Sequence, residues 1–136
     1  MSADPVSAAQ LHAWAALPPC APAFSPLEGP RSLLLALDDV DLRGDEAAQA
    51  AAWLRALPVP SIGVGAGDGA LATACDVVVE SAEAAAPLIN AIERNPIAAA
   101  VFVRLLRGTE PLAIEDALVA ESLAYSTLQA GPEYAR

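Results

Sequence analysis

Short apolar runs in the first half of the chain alternate with segments whose apolar residues have helical spacing. The runs 32–37, 61–65 and 76–79 are too short for stable helices and are rich in Leu, Ile or Val, so each is predicted to be a strand. Between the first two runs, the segment 46–57 places its apolar residues on one helical face, and Asp45 is its predicted N-cap. This order predicts a parallel pair of strands joined by a right-handed crossover.

The second half of the chain is predicted to be helical. An apolar stripe at helical spacing predicts one helix over 81–95. A second helix is predicted over 96–108, because Asn95 can act as its N-cap and a proline occupies its first position. The last helix is predicted over 114–129 and is closed by a Gly-Pro pair.

Two further segments precede the first strand. Apolar residues spaced by three predict a short helix over 7–17, with Ser7 as its N-cap. The stretch 18–30 holds five of the twelve prolines and is predicted to be an extended, irregular strap. The chain is therefore predicted to be a single α/β domain over 1–136, with a small parallel sheet of about three strands and a helical C-terminal half.

Charge limits the classes of partner that this chain can bind. Seventeen acidic residues against seven arginines, and no lysine, give a formal net charge of −10 in 136 residues. Such a field repels nucleic-acid backbones and anionic membrane surfaces. Arginine is sparse and scattered along the chain, which also counts against direct binding of a ligand that carries several phosphates.

The few cysteine and histidine residues favour structural roles. Cys20 and Cys75 are each expected to be a small buried side chain or a free thiol, and a disulfide requires the fold to bring them together. His12 is the only histidine and no Cys-x-x-Cys motif is present, so neither a metal site nor a cofactor is expected. Prolines interrupt the uncharged stretch 6–27, and Asp4 is unlike a signal peptide, so a cytoplasmic protein is expected.

Glu121 is the candidate general acid or base in the last helix. It falls between Leu118 and Tyr125 on a mostly apolar face, so it is predicted to be partly buried, and burial raises the pKa of a carboxyl group. The favoured alternatives are pairing with Arg104 or Arg107, or a position at the rim of the face.

Asp38 is the second candidate, because it follows a predicted parallel strand at the end where α/β proteins place ligands. A solvated loop is the favoured alternative for this acidic group. The turn 65–69 also follows a strand, but its glycine spacing matches no phosphate-binding motif and it has no lysine. It is predicted to be a tight turn that needs a positive φ.

Two segments resemble the crotonase (enoyl-CoA hydratase/isomerase) superfamily. In residues 57–81, LPVPSIGVGAGDGALATACDVVVES, a helix end near a proline is followed by an apolar strand, a glycine turn, a short helix and an Ala-Cys-Asp leading into another strand. The second segment is 95–133, which includes EDALVAESLAYSTLQAGPE and is similar to a stretch that precedes the catalytic domain in some bacterial members. The resemblance implies a truncated crotonase-like fold.

The resemblance also implies which parts of the family's site are missing. Active members hold a thioester enolate with two backbone N–H groups, one from a loop after the first long strand. Here the corresponding loop, 38–44, carries acids in place of the family's Ala- and Gly-rich signature, and the glycine turn is shortened. Gly67 and Gly69 are the remaining candidates for a vestigial backbone donor, and no catalytic residue is carried over.

Three hypotheses follow. The favoured one is a catalytically silent accessory domain or subunit that associates with an enoyl-CoA hydratase/isomerase, its partner being a crotonase-family protein or a second copy of itself. The alternative is a divergent hydratase/isomerase acting on an acyl-CoA thioester, with Glu121 or Asp38 as the base and Gly67 or Gly69 as the oxyanion donor. The third is an unrelated small α/β scaffold.

Overall fold

The computed structural model describes residues 4–67 and 69–135. The strands are β1 Leu33–Ala36, β2 Ser61–Val64 and β3 Val77–Val79. The helices are α1 Ala8–Ala15, α2 Gly44–Ala56, α3 Ala70–Ala74, α4 Ala82–Arg94, α5 Pro96–Thr109 and α6 Ile114–Gln129. Two short 3₁₀ turns cover Pro22–Phe24 and Leu37–Asp39.

The three strands form one parallel sheet in the order β1-β2-β3, which confirms the predicted α/β class. Leu33 pairs with Ser61, and Ile62 pairs with Val77. The outer edge of β1 is covered by Val6, whose N–H donates to the carbonyl of Leu34 at 2.8 Å. Helices α4, α5 and α6 follow the sheet and make up the predicted helical C-terminal half.

Each face of the sheet packs against a separate apolar cluster. Helices α1, α2 and α3 cover one face, where Leu11, Leu35 and Leu54 are fully buried. The other face presents Leu34 and Ile62 to Ala85 of α4. Burial on both faces accounts for the unbroken apolar runs of β1 and β2.

The proline-rich strap is anchored at Phe24, which corrects the expectation of an entirely irregular segment. Phe24 lies in the 3₁₀ turn, is 2% exposed and contacts Trp14 and Trp53 edge-on, with ring centroids 5.6 and 5.0 Å away. The indole N–H of Trp53 donates to the carbonyl of Leu17 at 3.0 Å. One aromatic side chain therefore brings the strap into the core.

The predicted helix starts are partly correct. Ser7 caps α1 through a reciprocal pair of hydrogen bonds with Gln10, as predicted. Helix α2 begins at Gly44 with Arg43 as its N-cap, so Asp45 is not the cap. Asp45 lies in the first helical turn instead, where its charge complements the helix dipole.

The start of α5 is capped by a residue from the far end of the chain. The side chain of Asn95 makes no capping hydrogen bond, which corrects its predicted role. The carboxylate of Glu133 accepts from the N–H groups of Ile97 at 3.0 Å and Ala98 at 2.8 Å. These bonds pin the segment after α6 to the first turn of α5.

Helix α6 packs against α5 through its small residues. Ala117, Ala120 and Ala124 are half-buried, whereas Leu118 and Tyr125 are 56% and 58% exposed. Leu118 and Tyr125 are therefore not on the buried side of α6, which corrects the predicted face, although Leu128 further along the helix is half-buried. No helix in the described ranges is long and apolar enough to cross a bilayer.

Candidate functional site

Asp38 and the glycine turn meet at the carboxyl edge of the sheet. The 3₁₀ turn after β1 carries Asp38, and the turn after β2 begins at Gly65, whose φ of +117° explains its glycine. The Asp38 carboxylate accepts from the N–H of Ala66 at 3.3 Å, and a side chain at Gly65 would collide with that carboxylate. Two features that are 28 residues apart in sequence therefore form one local contact.

The two candidate backbone donors lie beside this contact. Gly67 and Gly69 line a shallow cleft of about 210 Å³, together with Leu37, Val40 and Leu71. A side chain at Gly67 would meet Leu37, which explains the glycine there as a close-packing requirement. The carbonyl of Gly69 accepts from the Thr73 hydroxyl at 3.2 Å.

The electrostatics of this edge disfavour an oxyanion. The negatively charged carboxylate of Asp38 accepts a hydrogen bond from the N–H of Ala66, the residue before Gly67. A second anion close to that carboxylate would be repelled, and the chain supplies no positive side chain among the residues that line the cleft. The arrangement therefore stabilises a turn more readily than it stabilises a developing negative charge.

Glu121 lies elsewhere and is exposed, which corrects the predicted partial burial. It stands at the rim of a cleft of about 380 Å³ between α5 and α6, whose other lining residues include Phe102, Leu106, Ile114 and Leu118. That cleft contains none of the three candidates at the sheet edge. Within the described residues Glu121 forms no ion pair with either predicted arginine.

The strongest polar contact of the chain is at the opposite edge of the sheet. The Arg107 guanidinium binds the Asp76 carboxylate through Nε–Oδ1 at 2.8 Å and Nη2–Oδ2 at 2.5 Å. The two side chains are only 13% and 17% exposed. A bidentate pair with this burial is a specific, charge-assisted contact.

Neighbouring main-chain groups complete this polar centre. Asp76 Oδ2 also accepts from the N–H and hydroxyl of Ser61, at 2.7 and 2.9 Å. Arg107 Nη1 donates to the carbonyl of Leu57 at 2.6 Å, close to the end of α2. The centre thus joins α2, β2, β3 and α5. Its carboxylate and guanidinium groups are hydrogen-bonded within the centre rather than free to bind a ligand.

Cys75 borders this centre but is not an activated nucleophile. Burial, aided by the negative charge of Asp76 and opposed by Arg107, raises the pKa of the Cys75 thiol to about 11. A thiol with this pKa is almost fully protonated at neutral pH. Cys75 and the exposed Cys20 are both free thiols.

Three of the seven arginines, described above as scattered in sequence, gather around one cleft. Arg55, Arg104 and Arg107 line a space of about 390 Å³ beside Asp76. The spacing of Arg104 and Arg107 on α5 was the available signal, because residues three apart on a helix share a face. Arg55 joins them from α2, and only the tertiary fold brings it there.

Helices α5 and α6 expose a continuous set of large apolar side chains. We call this set the α5–α6 apolar face; its members are Phe102, Leu106, Ile114, Leu118 and Tyr125. Each is more than half exposed, and Ile114 reaches 76%. Glu121 is the charged residue that lines the cleft running along this face.

Comparisons with protein-family models, curated proteins and solved structures found no match to this chain. The resemblance to the crotonase superfamily therefore rests on the two sequence segments quoted above alone.

Proposed function

We propose that this chain is a non-catalytic accessory domain or subunit that binds a crotonase-family enoyl-CoA hydratase/isomerase. The observation that carries the proposal is the α5–α6 apolar face. It supplies a binding surface, whereas Glu121 lies apart from the other candidates and Asp38 is hydrogen-bonded to the glycine turn.

The α5–α6 apolar face has the character of an interface. A surface helix normally turns its large apolar residues inward and its polar residues outward. Helix α6 departs from this pattern, since the half-buried positions include the small residues Ala120 and Ala124 while Leu118 and Tyr125 are exposed. Contiguous exposed apolar surface of this kind marks protein-binding sites in proteins of this size.

The charges on α6 favour a partner other than a second copy. Glu115, Asp116 and Glu121 are its ionisable acids, and it carries no arginine or lysine. Packing α6 against its own copy would bring acids together in a partly desolvated interface, which is unfavourable. A partner with an apolar patch bordered by basic residues would instead complement this surface.

The order of elements around the glycine turn supports the crotonase part of the proposal. Strand β2, the turn, helix α3, Cys75-Asp76 and strand β3 follow one another in the order of the resembling segment 57–81.

The absence of catalytic activity is inferred from chemistry. Hydration or isomerisation of an acyl-CoA needs an oxyanion donor and an acid or base placed on the same substrate. Glu121 lines a different cleft from the candidate backbone donors. Asp38 does lie beside them, but its carboxylate accepts a hydrogen bond from the turn and would repel an oxyanion held there. This arrangement favours the accessory role over the divergent enzyme.

Binding is tested with purified proteins. The chain is mixed with crotonase-superfamily proteins encoded in the same genome, and complex formation is measured by light scattering after size-exclusion chromatography. We expect a complex whose affinity falls at least about tenfold in Leu118→Asp, because that change places a charge in the apolar interface. Leu27→Asp is the matched control, since Leu27 is an exposed leucine on the strap.

Two results would contradict the proposal. One is equal binding by the Leu118 and Leu27 variants, which would place the interface elsewhere. The other is turnover of crotonyl-CoA by the purified chain alone, reduced by Glu121→Gln or Asp38→Asn, which would establish the divergent enzyme.

A further inference from the structure

An apolar cleft of about 570 Å³ lies along the contact between α5 and α6, away from Glu121. Pro26 of the strap and Pro58 after α2 form one wall. Ala100, Ala120 and Ala124 form much of the remainder, and their small side chains leave the space between the helices open. A volume of this size is within the range of small-molecule sites, roughly 300–1,000 Å³.

Among the described residues, Arg104 is the only charged one that lines this cleft. The other polar side chain, Thr109, uses its hydroxyl proton within α5, where it donates to the carbonyl of Leu105 at 2.8 Å. Arg104 makes one long hydrogen bond, to the carbonyl of Ala56 at 3.5 Å, and no carboxylate in the described part of the chain pairs with it. Its remaining donors are therefore available to a ligand.

The same arginine also lines the neighbouring polar cleft beside Asp76. Arg55 lies in that cleft and, among the described residues, forms no ion pair either. By contrast, Arg107 is committed to Asp76. Glu110 also lines the polar cleft, but it forms no ion pair with either arginine among the described residues. A ligand that passes from the apolar cleft to the polar one would therefore meet two guanidinium groups that are not held by a carboxylate.

We propose that these joined clefts bind a linear alkyl carboxylate. The hydrocarbon chain lies between α5, α6 and the two prolines, and the carboxylate accepts hydrogen bonds from Arg104, with Arg55 adding positive charge. This site goes beyond the proposed function, because it requires no protein partner and its hydrocarbon cleft is lined by none of the five residues of the α5–α6 apolar face.

The chemistry of the clefts selects this ligand class. The mostly apolar lining disfavours polar or multiply charged ligands, because among the described residues only Arg104 has hydrogen-bond donors that are not already used. An arginine can bind a carboxylate in bidentate fashion. The net charge of −10 repels the many charges of an anionic bilayer more strongly than the single charge of a carboxylate, which favours a free amphiphile over a membrane lipid.

The test is a calorimetric titration of the full chain with decanoate below its micelle concentration, with decanol and acetate as matched probes. We expect saturable binding of decanoate, and binding of the other two at least about tenfold weaker, since each lacks the chain or the charge. Arg104→Gln is expected to weaken decanoate binding about tenfold. Arg43→Gln, a change at an exposed arginine at the opposite end of α2 from Arg55 that lines neither cleft, is expected to leave it unchanged.

A second variant tests the position of the hydrocarbon. Ala124→Leu fills part of the apolar cleft and is expected to abolish decanoate binding, while circular dichroism checks that the helices remain folded. The proposal is overturned if decanoate does not saturate the wild-type chain, or if Arg104→Gln binds it as tightly as wild type. Binding to anionic vesicles in place of free decanoate would also overturn it.

Discussion

The guanidinium of Arg107 holds the carboxylate of Asp76 in a bidentate ion pair that joins helix α5 to the start of strand β3. Asp76 also binds Ser61 at the start of β2, and Arg107 also binds the main chain after α2. One pair of side chains thus connects the sheet to helix α5. This helix contributes residues both to the α5–α6 apolar face and to the cleft proposed to bind an alkyl carboxylate.

We predict that Arg107→Ala lowers the free energy of unfolding by about 3 kcal/mol, because it leaves a largely buried carboxylate without its counter-charge. Arg31→Ala is the matched control. Its ion pair with Glu93 is about half exposed, so its loss should cost less than about 1 kcal/mol. Urea denaturation followed by circular dichroism measures both; equal losses would show that the Asp76 pair has no special structural role.

Glu133 provides a second test, of the cap on α5. Glu133→Ala should reduce stability by about 1 kcal/mol, as loss of a helix cap does, and Glu133→Gln should cost less because one acceptor oxygen remains. Hydrogen exchange should accelerate at the amides of Ile97 and Ala98 in the alanine variant. Unchanged exchange at these two amides would contradict the cap.

The strap is tested at Phe24. Phe24→Ala removes a buried ring between two tryptophans, so we expect a loss of about 3 kcal/mol and a red shift in tryptophan fluorescence. Leu27→Ala, on the same strap but 75% exposed, should change stability by less than about 0.5 kcal/mol. If both variants behave alike, the strap does not contribute to the core.

The sheet was predictable because each strand is a compact apolar run with a clear boundary. Ser61 and Val64 bound β2 within one residue of the predicted run, and the parallel order follows from the intervening helix. The caps were less predictable. The bonds from Glu133 to the start of α5 join residues 35 and 36 positions apart, and no local pattern reveals such a contact.

The orientation of α6 could not be read from periodicity, because the helix is apolar on several sides. Hydrophobicity favours Leu118 and Tyr125 as inward residues, but close packing of two helices favours small ones such as Ala120 and Ala124. The second effect prevails in the fold. For the same reason Glu121 was misplaced, since its predicted burial depended on the wrong face of α6.

The final prediction concerns alkaline pH and Cys75. Burial raises the pKa of this thiol from about 9 to about 11, with a further contribution from Asp76. Between these values the unfolded chain loses the proton while the folded chain keeps it, so the free energy of unfolding should fall as pH rises through this window.

Urea denaturation across the window, in a Cys20→Ser background, should show a steeper fall in the free energy of unfolding with Cys75 present than in Cys75→Ala. Iodoacetamide at about pH 8 should label Cys20 well before Cys75 in the wild-type chain, because only Cys20 is exposed. Parallel stability curves for the two variants would show that the thiol is not held protonated by the fold.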